Sequence, residues 1–283
     1  MTKKLKIYIT IASLFIIGSC SIASSWFYER ADSYLAEYFK EYANFSNEQK
    51  DEIDKVTKNY LDWFTTNELP VIRDVLVNLK DINNSNANNL IDETYVVGQE
   101  LFARSNQYFE KSFIEFFKSL TDLQVEEIKA HFEEIRIERE ESRKEENVYS
   151  EEVAENYISG FRRLNIKLTK LQRDYVNENI KGLKNIRADW SFFQEKWVEE
   201  LIGILEKRND QDFEIKITSH LRSLESLGDE EFQLKRKNNE QIGMKIISGI
   251  LSNASENQIK GAKRRIDTYI ASIDRILSNR VLD

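Results

Sequence analysis

Apolar residues recur along this chain at spacings of three and four, the period of helices that bury one face. Trp26, Phe27, Tyr34, Leu35, Tyr38, Phe39 and Tyr42 form the first such stripe and predict a helix over 26–43. Ile53, Val56, Tyr60, Trp63 and Phe64 mark the next. Pro70, in Glu68-Leu69-Pro70, should end or kink it, because proline lacks an N–H and crowds the preceding turn. The pattern resumes through Ile72, Val75, Leu76 and Leu79, and the Asn- and Ser-rich run 83–89 reads as a loop. A long helix follows over 90–119, with Val97, Leu101, Phe109, Phe113, Phe116 and Phe117 on one side. Leu120 opens another, with Val125, Ile128, Phe132 and Ile135 inward. Its end, Glu138 to Glu146, is nearly all charge of mixed sign, the mark of a solvated helix laced by i,i+4 pairs and projecting as a hairpin tip.

Beyond Ser150 the stripe continues through Val153, Tyr157, Phe161 and Leu164. One helix is then predicted from Leu168 to about Lys207, carrying Tyr175, Leu183, Trp190, Phe193, Trp197, Leu201 and Leu205, until Asn209-Asp210 breaks it. A shorter helix holds Phe213, Ile217, Leu221 and Leu224 and ends near Gly228; 230–251 and 256–278 read as a last antiparallel pair. No alternating β-branched run bounded by turn residues follows the N-terminal segment. Nine glycines and one proline in 283 residues leave few breakers. The predicted fold class is all-α, an elongated bundle of long antiparallel helices and helical hairpins.

The first twenty residues have a different logic. Lys3, Lys4 and Lys6 precede the apolar run Ile7 to Ile17, which is too short to span a bilayer as a stable helix. Small residues follow, and then Cys20, the only cysteine. A lone thiol in an exported chain needs another explanation than a disulfide. Ile17-Gly18-Ser19-Cys20 resembles the bacterial lipobox. That resemblance implies cleavage after Ser19, acylation of Cys20 with palmitate-type chains, a tether over 20–25 and a body over 26–283. Two or more acyl chains hold a membrane stably where one does not. Ser21, in place of an aspartate, points by the same resemblance to an outer-membrane lipoprotein facing the periplasm.

Loss of Lys3, Lys4 and Lys6 from 41 basic and 49 acidic residues leaves 38 against 49, a charge of −11. Such a body is a poor ligand for nucleic acid or anionic lipid headgroups. The expected partners are the membrane, through the N-terminal lipid, and envelope or periplasmic proteins.

One motif recurs: an apolar or small residue, Ser or Thr, two residues, then Gln. It reads Phe45-Ser46-Asn47-Glu48-Gln49, Leu120-Thr121-Asp122-Leu123-Gln124 and Leu168-Thr169-Lys170-Leu171-Gln172, with a weaker copy at Ala254-Ser255-Glu256-Asn257-Gln258. The spacing is that of a capping box: the hydroxyl accepts from the N–H three residues on, and Gln reaches back to the cap's own N–H. Ser46/Gln49, Thr121/Gln124 and Thr169/Gln172 are therefore helix starts, each worth about 1 kcal/mol. Leu120 with Val125 also fits a hydrophobic staple, and Ala254 with Ile259 fits one poorly.

Leu120-Thr121-Asp122-Leu123-Gln124 is similar to the Leu-Thr-x-x-Gln signature of the periplasmic Spy and CpxP proteins. That resemblance implies a helical cradle that binds unfolded or misfolded envelope proteins. The chain departs from those proteins in its length, its lipobox and its acidic charge. A second resemblance covers most of the mature length. The lipobox, the aromatic first helix, the Ser-x-x-Gln start and the Asn67-Glu68-Leu69-Pro70 helix end look like a family of proteobacterial lipoproteins of unknown function, and imply location and fold without a mechanism.

Catalytic chemistry has little to build on. His131 and His220 are the only histidines, and neither lies in His-Glu-x-x-His or Glu-x-x-His. His131, with Glu127 and Glu134 nearby, reads as part of a solvated charged face. Gly-x-Ser-x-Gly and phosphate-loop motifs are absent. No catalytic residue, metal or cofactor is expected. The expected function is a protein-interaction module, with an unfolded-client chaperone as one alternative and a glycan-acting enzyme as another.

Overall fold

The computed structural model describes Tyr28 and residues 30–141 and 149–279. Ile17, Gly18, Ser19, Cys20, Trp26, Phe27 and most of the charged tip lie outside the described residues. Within them the chain is all-α: α1 (Ala31–Lys40), α2 (Asn47–Trp63), a π turn (Phe64–Glu68), α3 (Leu69–Leu79), α4 (Ala87–Lys118), α5 (Asp122–Glu141), α6 (Tyr149–Arg163), α7 (Lys170–Ile180), α8 (Arg187–Leu205), α9 (Phe213–Ser223), a 3-10 turn (Leu224–Ser226), α10 (Glu230–Ser252) and α11 (Glu256–Asn279).

The helices fall into two similar units. In the first, α1 leads through a short linker to the capped α2; later the long α4 turns tightly into the capped α5. In the second, α6, α7, α10 and α11 repeat that order. Equivalent helices pack alike: α1 on α2 and α6 on α7, α2 on α4 and α7 on α10. Between the capped helix and the long helix each unit makes an excursion, the π turn and α3 in the first, α8 and α9 in the second. The excursions cross over. α3 packs along α11 of the second unit, while α8 packs along α5 and α9 along α4 of the first.

The core follows this exchange. One cluster joins Ala36, Phe45, Ile53, Leu120, Val125 and Ile128 of the first unit to Leu201, Leu205, Phe213 and Ile217 of the second unit's excursion. Another joins Ile82 and Ala87 to Phe161, Leu168, Val176, Ile246, Ile250 and Ala262. A third, Leu69, Ile72, Leu101, Ile273 and Ile276, seals α3 and α4 against α11. Neither unit closes its core without the other, so burial of apolar area locks them together.

Four expectations change. Pro70 does not end the helix: α2 runs through the π turn into α3, and Pro70 sits in the first turn of α3, where an N–H is not needed. The helix expected over 168–207 is two, α7 and α8. Asn238 and Asn239 of α10 hold the break open: Asn238 Nδ2 donates to Gly182 O, Asn239 Nδ2 to Lys184 O, and Asn239 Oδ1 accepts from Lys184 N. Helix ends need such partners for their orphan groups, and these come from a distant helix. α10 and α11 diverge instead of pairing, since α11 lies along α3 and α10 along α4 and α7. His131 is not on a solvated face; its ring is half-buried against Tyr42, with centroids 4.4 Å apart.

Candidate functional site

The helix starts singled out by their spacing meet in pairs. All four boxes close: the hydroxyls of Ser46, Thr121, Thr169 and Ser255 accept from the N–H groups of Gln49, Gln124, Gln172 and Gln258, and each glutamine returns a bond to its cap's N–H. The glutamines then bond each other. Gln49 Nε2 donates to Gln124 Oε1 at 3.1 Å and Gln124 Nε2 donates to Gln49 Oε1 at 2.7 Å. In the second unit Gln172 Nε2 donates to Gln258 Oε1 at 3.2 Å, and Gln258 Nε2 donates back at 2.8 Å.

In three of the four amides the remaining N–H crosses to the stretch of chain before the partner's cap. Gln49 donates to Ser119 O, Gln124 to Asn44 O and Gln258 to Lys167 O, each carbonyl two residues before a cap. A primary amide offers two donors and an acceptor oxygen with two lone pairs. Gln49, Gln124 and Gln258 use all of them while buried. Asparagine is too short for this reach, and glutamate lacks the donors. The apolar residues before the caps (Phe45, Leu120, Leu168, Ala254) and seven after them (Ile53, Ile128, Val176, Ala262) are buried around each pair. Arg208 ties α8 to the first pair, donating to Leu120 O and Leu205 O and, at 2.6 Å, to the Asp122 carboxylate.

Two other buried polar groups join elements. Glu68, in the π turn and 2% exposed, receives Nε and Nη2 of Arg104 on α4, both at 2.8 Å. His220 on α9 stacks on Trp197 of α8 at 4.5 Å. Its Nε2 lies 2.9 Å from Trp197 O, the Trp197 indole donates to His220 O, and Glu200 lies 3.6 Å from Nδ1. Burial holds the imidazole below its ordinary range. Glu68 and the His220 ring are themselves buried in these contacts, which suits joining helices better than handling a substrate.

The open chemistry is aromatic. Phe109, Phe113 and Phe117 stack along α4, with centroids 5.5 and 5.7 Å apart. Tyr60 of α2 meets Phe109 at 4.4 Å, Trp63 meets Tyr108 at 4.8 Å, and Phe39 of α1 meets Phe113 at 5.9 Å. Every ring in this row is only half-buried. On α8, Phe192 is 50% exposed beneath the Lys196 ammonium. No group of three or more His, Cys, Asp or Glu side chains suited to a metal occurs among the described residues, and no described helix is long and apolar enough to cross a membrane.

Sequence reasoning found the boxes and missed their pairing. The signal lay in the fourfold recurrence and in the apolar positions one before and seven after each cap. Cys20, Ile17, Gly18 and Ser19 fall outside the described residues.

The fold and the paired caps define a class, an all-helical protein of two interlocked units. Comparison with known families is specific: residues 41–233 match DUF6279, a family of unknown function, and the chain belongs to that family. The match takes in the boxes at Ser46, Thr121 and Thr169 and stops before the one at Ser255. No curated protein and no solved structure matches the chain.

Proposed function

We propose that this chain is a lipid-anchored protein of the cell envelope, facing the periplasm from the outer membrane, whose helical body works by binding other proteins. The half-open aromatic row on α1, α2 and α4 carries the reading. A buried aromatic side chain removes much apolar area from water. Leaving Tyr60, Trp63, Tyr108, Phe109 and Phe113 part-exposed forgoes that gain in the free protein and keeps it for a partner. Each 100 Å² of apolar surface covered there is worth about 2.5 kcal/mol. The net negative charge of the chain favours solubility of a body with such a row. The lipobox resemblance supports the anchor, and the likeness to Spy and CpxP at Leu120–Gln124 supports unfolded envelope proteins as one class of client.

Photocrosslinking from position 108 in intact cells, with mass spectrometry of the adducts, tests the reading. A broad set of envelope proteins favours a chaperone; one or two dominant adducts favour a dedicated partner. Absence of any protein adduct would overturn it. The anchor is tested separately: Cys20→Ala should abolish fatty-acid labelling and signal cleavage together, and unchanged processing would refute it.

A further inference from the structure

The outer face of α5 is built like one half of a two-helix seam. The inward face of this helix is set by Gln124, Val125, Ile128 and Phe132. At 100° per residue, Leu123, Ala130 and Ile137 project nearly opposite to that direction and share one line. All three are exposed, Leu123 by 69% and Ile137 by 44%. Their spacing is seven residues twice over, the repeat that keeps a seam facing a partner helix. The line spans about 21 Å of helix.

Carboxylates run along both sides. Glu126 and Glu133 lie on one side, Glu134 and Glu138 on the other, all exposed. Arg136 takes up Glu133 and Glu140. Glu126, Glu134 and Glu138 make no ion pair among the described residues. At the Leu123 end a cleft of about 400 Å³ opens between α5 and the end of α8, lined by Asp122, Leu123, Val125, Glu126, Glu206 and Arg208. The Arg208 charge is already met by Asp122 and two carbonyls, so Glu126 and Glu206 leave this cleft negative. It suits the aliphatic stem and charged head of a lysine or arginine. Ile215 on α9 and Leu234 on α10 are exposed without such a repeat, and on α4 the spacing occurs only once, at Val96 and Ala103.

We infer that the outer face of α5 docks an α-helix of another protein that carries an apolar residue at heptad spacing between rows of lysine or arginine, with one basic side chain seated in the cleft beside Leu123. Charge complementarity selects this occupant. A second copy of the chain would set the same glutamates against each other, and like charges across a seam oppose pairing. Ala130 at the middle of the line lets the partner helix approach closely. The inference rests on the reading of the body as a protein-binding module, but uses a surface apart from the aromatic row.

The test is fluorescence anisotropy of a labelled synthetic helix, with leucine at the a and d positions and lysine at e and g, titrated with the full mature chain. A matched peptide with glutamate at e and g is the control. The lysine peptide should bind at least tenfold more tightly than the glutamate peptide, and less tightly as salt rises. Leu123→Gln with Ile137→Gln should weaken binding at least tenfold; so should Glu126→Gln with Glu134→Gln and Glu138→Gln. These positions are exposed, so circular dichroism and melting should be unchanged. Equal binding of both peptides, or affinity retained in the Leu123/Ile137 variant, would overturn the inference. So would concentration-dependent self-association that the Leu123/Ile137 variant abolishes. Loss of binding in Trp63→Ala but not in the α5 variants would refute this surface while leaving the protein-binding reading intact. An α5 that binds the peptide in a chain without cellular adducts would separate the two the other way.

Discussion

Gln124→Leu is the sharpest probe of the paired caps. The change nearly conserves volume and so isolates the polar network. It removes four hydrogen bonds: from Thr121 N at 3.0 Å, from Gln49 Nε2 at 3.1 Å, to Gln49 Oε1 at 2.7 Å and to Asn44 O at 3.2 Å. Each is worth about 0.5–1.5 kcal/mol net, and the buried Gln49 amide loses one donor and one acceptor contact at once. An expected cost of about 3–4 kcal/mol follows, a large part of the 5–15 kcal/mol typical of a folded domain. Thr121→Ala, which removes the hydroxyl acceptor alone, should cost about 1 kcal/mol.

The signature is the coupling. Once Gln124 is leucine, Gln49→Leu removes an amide that is already half unsatisfied. The double variant should therefore be less unstable than the sum of the singles by about 1–2 kcal/mol. Gln172→Leu and Gln258→Leu should couple in the same way. Gln124→Leu and Gln172→Leu share no partner and should add. Urea unfolding of the chain followed by far-UV circular dichroism measures each term. A cost below about 1 kcal/mol for Gln124→Leu, or additivity within a pair to about 0.3–0.5 kcal/mol, would refute the paired-cap account.

Other perturbations test other joints. Arg104→Ala leaves Glu68 buried without its guanidinium and should cost about 2–3 kcal/mol, less than the loss of a fully buried pair because Arg104 is partly exposed; Glu68→Gln should soften that loss in the double variant, and urea titration reads both. The His220 imidazole is held below its unfolded value of 6.5 by burial. The unfolded chain therefore binds the proton first, stability is fully present above pH 6.5, and it falls as the pH drops below that value. Melting curves of wild type and His220→Asn across pH 5 to 8 should show the wild type losing more stability on acidification, and parallel curves would refute the assignment. Gly261 lets α11 approach the turn after α6, where a Cβ would stand 2.8 Å from Asn165 O; Gly261→Ala should cost about 1–3 kcal/mol by overpacking, read by thermal melting.

Much of the fold was legible in the sequence because its local signals agree. The stripe Ile259, Ile266, Ile273 marks α11, and the spacing of Ser46 and Gln49 marks the start of α2. What stayed hidden depended on contacts between distant segments. The break between α7 and α8 rests on Asn238 and Asn239, residues that read as ordinary polar positions of α10. The divergence of α10 and α11 is set by α3, whose apolar face gave no sign of its partner. Pro70 read as the end or a kink of a helix, but the π turn keeps the backbone helical across it. At the candidate site the aromatic residues were visible as stripes, and a stripe cannot say which rings end up covered. Tyr60 and Trp63 were read as part of a buried face and lie on it, but are covered only in part. A glutamine in a capping box looks complete once its own cap is counted. Only the second pair of its hydrogen-bonding capacities, spent on a residue 75 or 86 positions away, shows that each pair of caps ties together two distant helix starts of one unit.

The exchange of excursions makes a stronger prediction about how the two units cohere. α3 belongs by sequence to the first unit and by packing to α11; α8 and α9 belong to the second and pack on α5 and α4. Both sets of contacts are made by helices outside the segment that links Glu141 to Tyr149. A protease site placed between them should therefore be cut without release of the halves, which should run together in size exclusion and separate only in denaturant. If instead each unit held its own core and the link alone kept them together, the cut halves would part in native buffer. The core clusters argue for the first outcome. Leu201, Leu205, Phe213 and Ile217 share one buried cluster with Phe45, Ile53 and Leu120, across the unit boundary. Separating the halves would expose those faces to water at about 25 cal/mol for each Å². Cooperative unfolding of the whole body, despite its repeated architecture, is the same argument read in a melting curve.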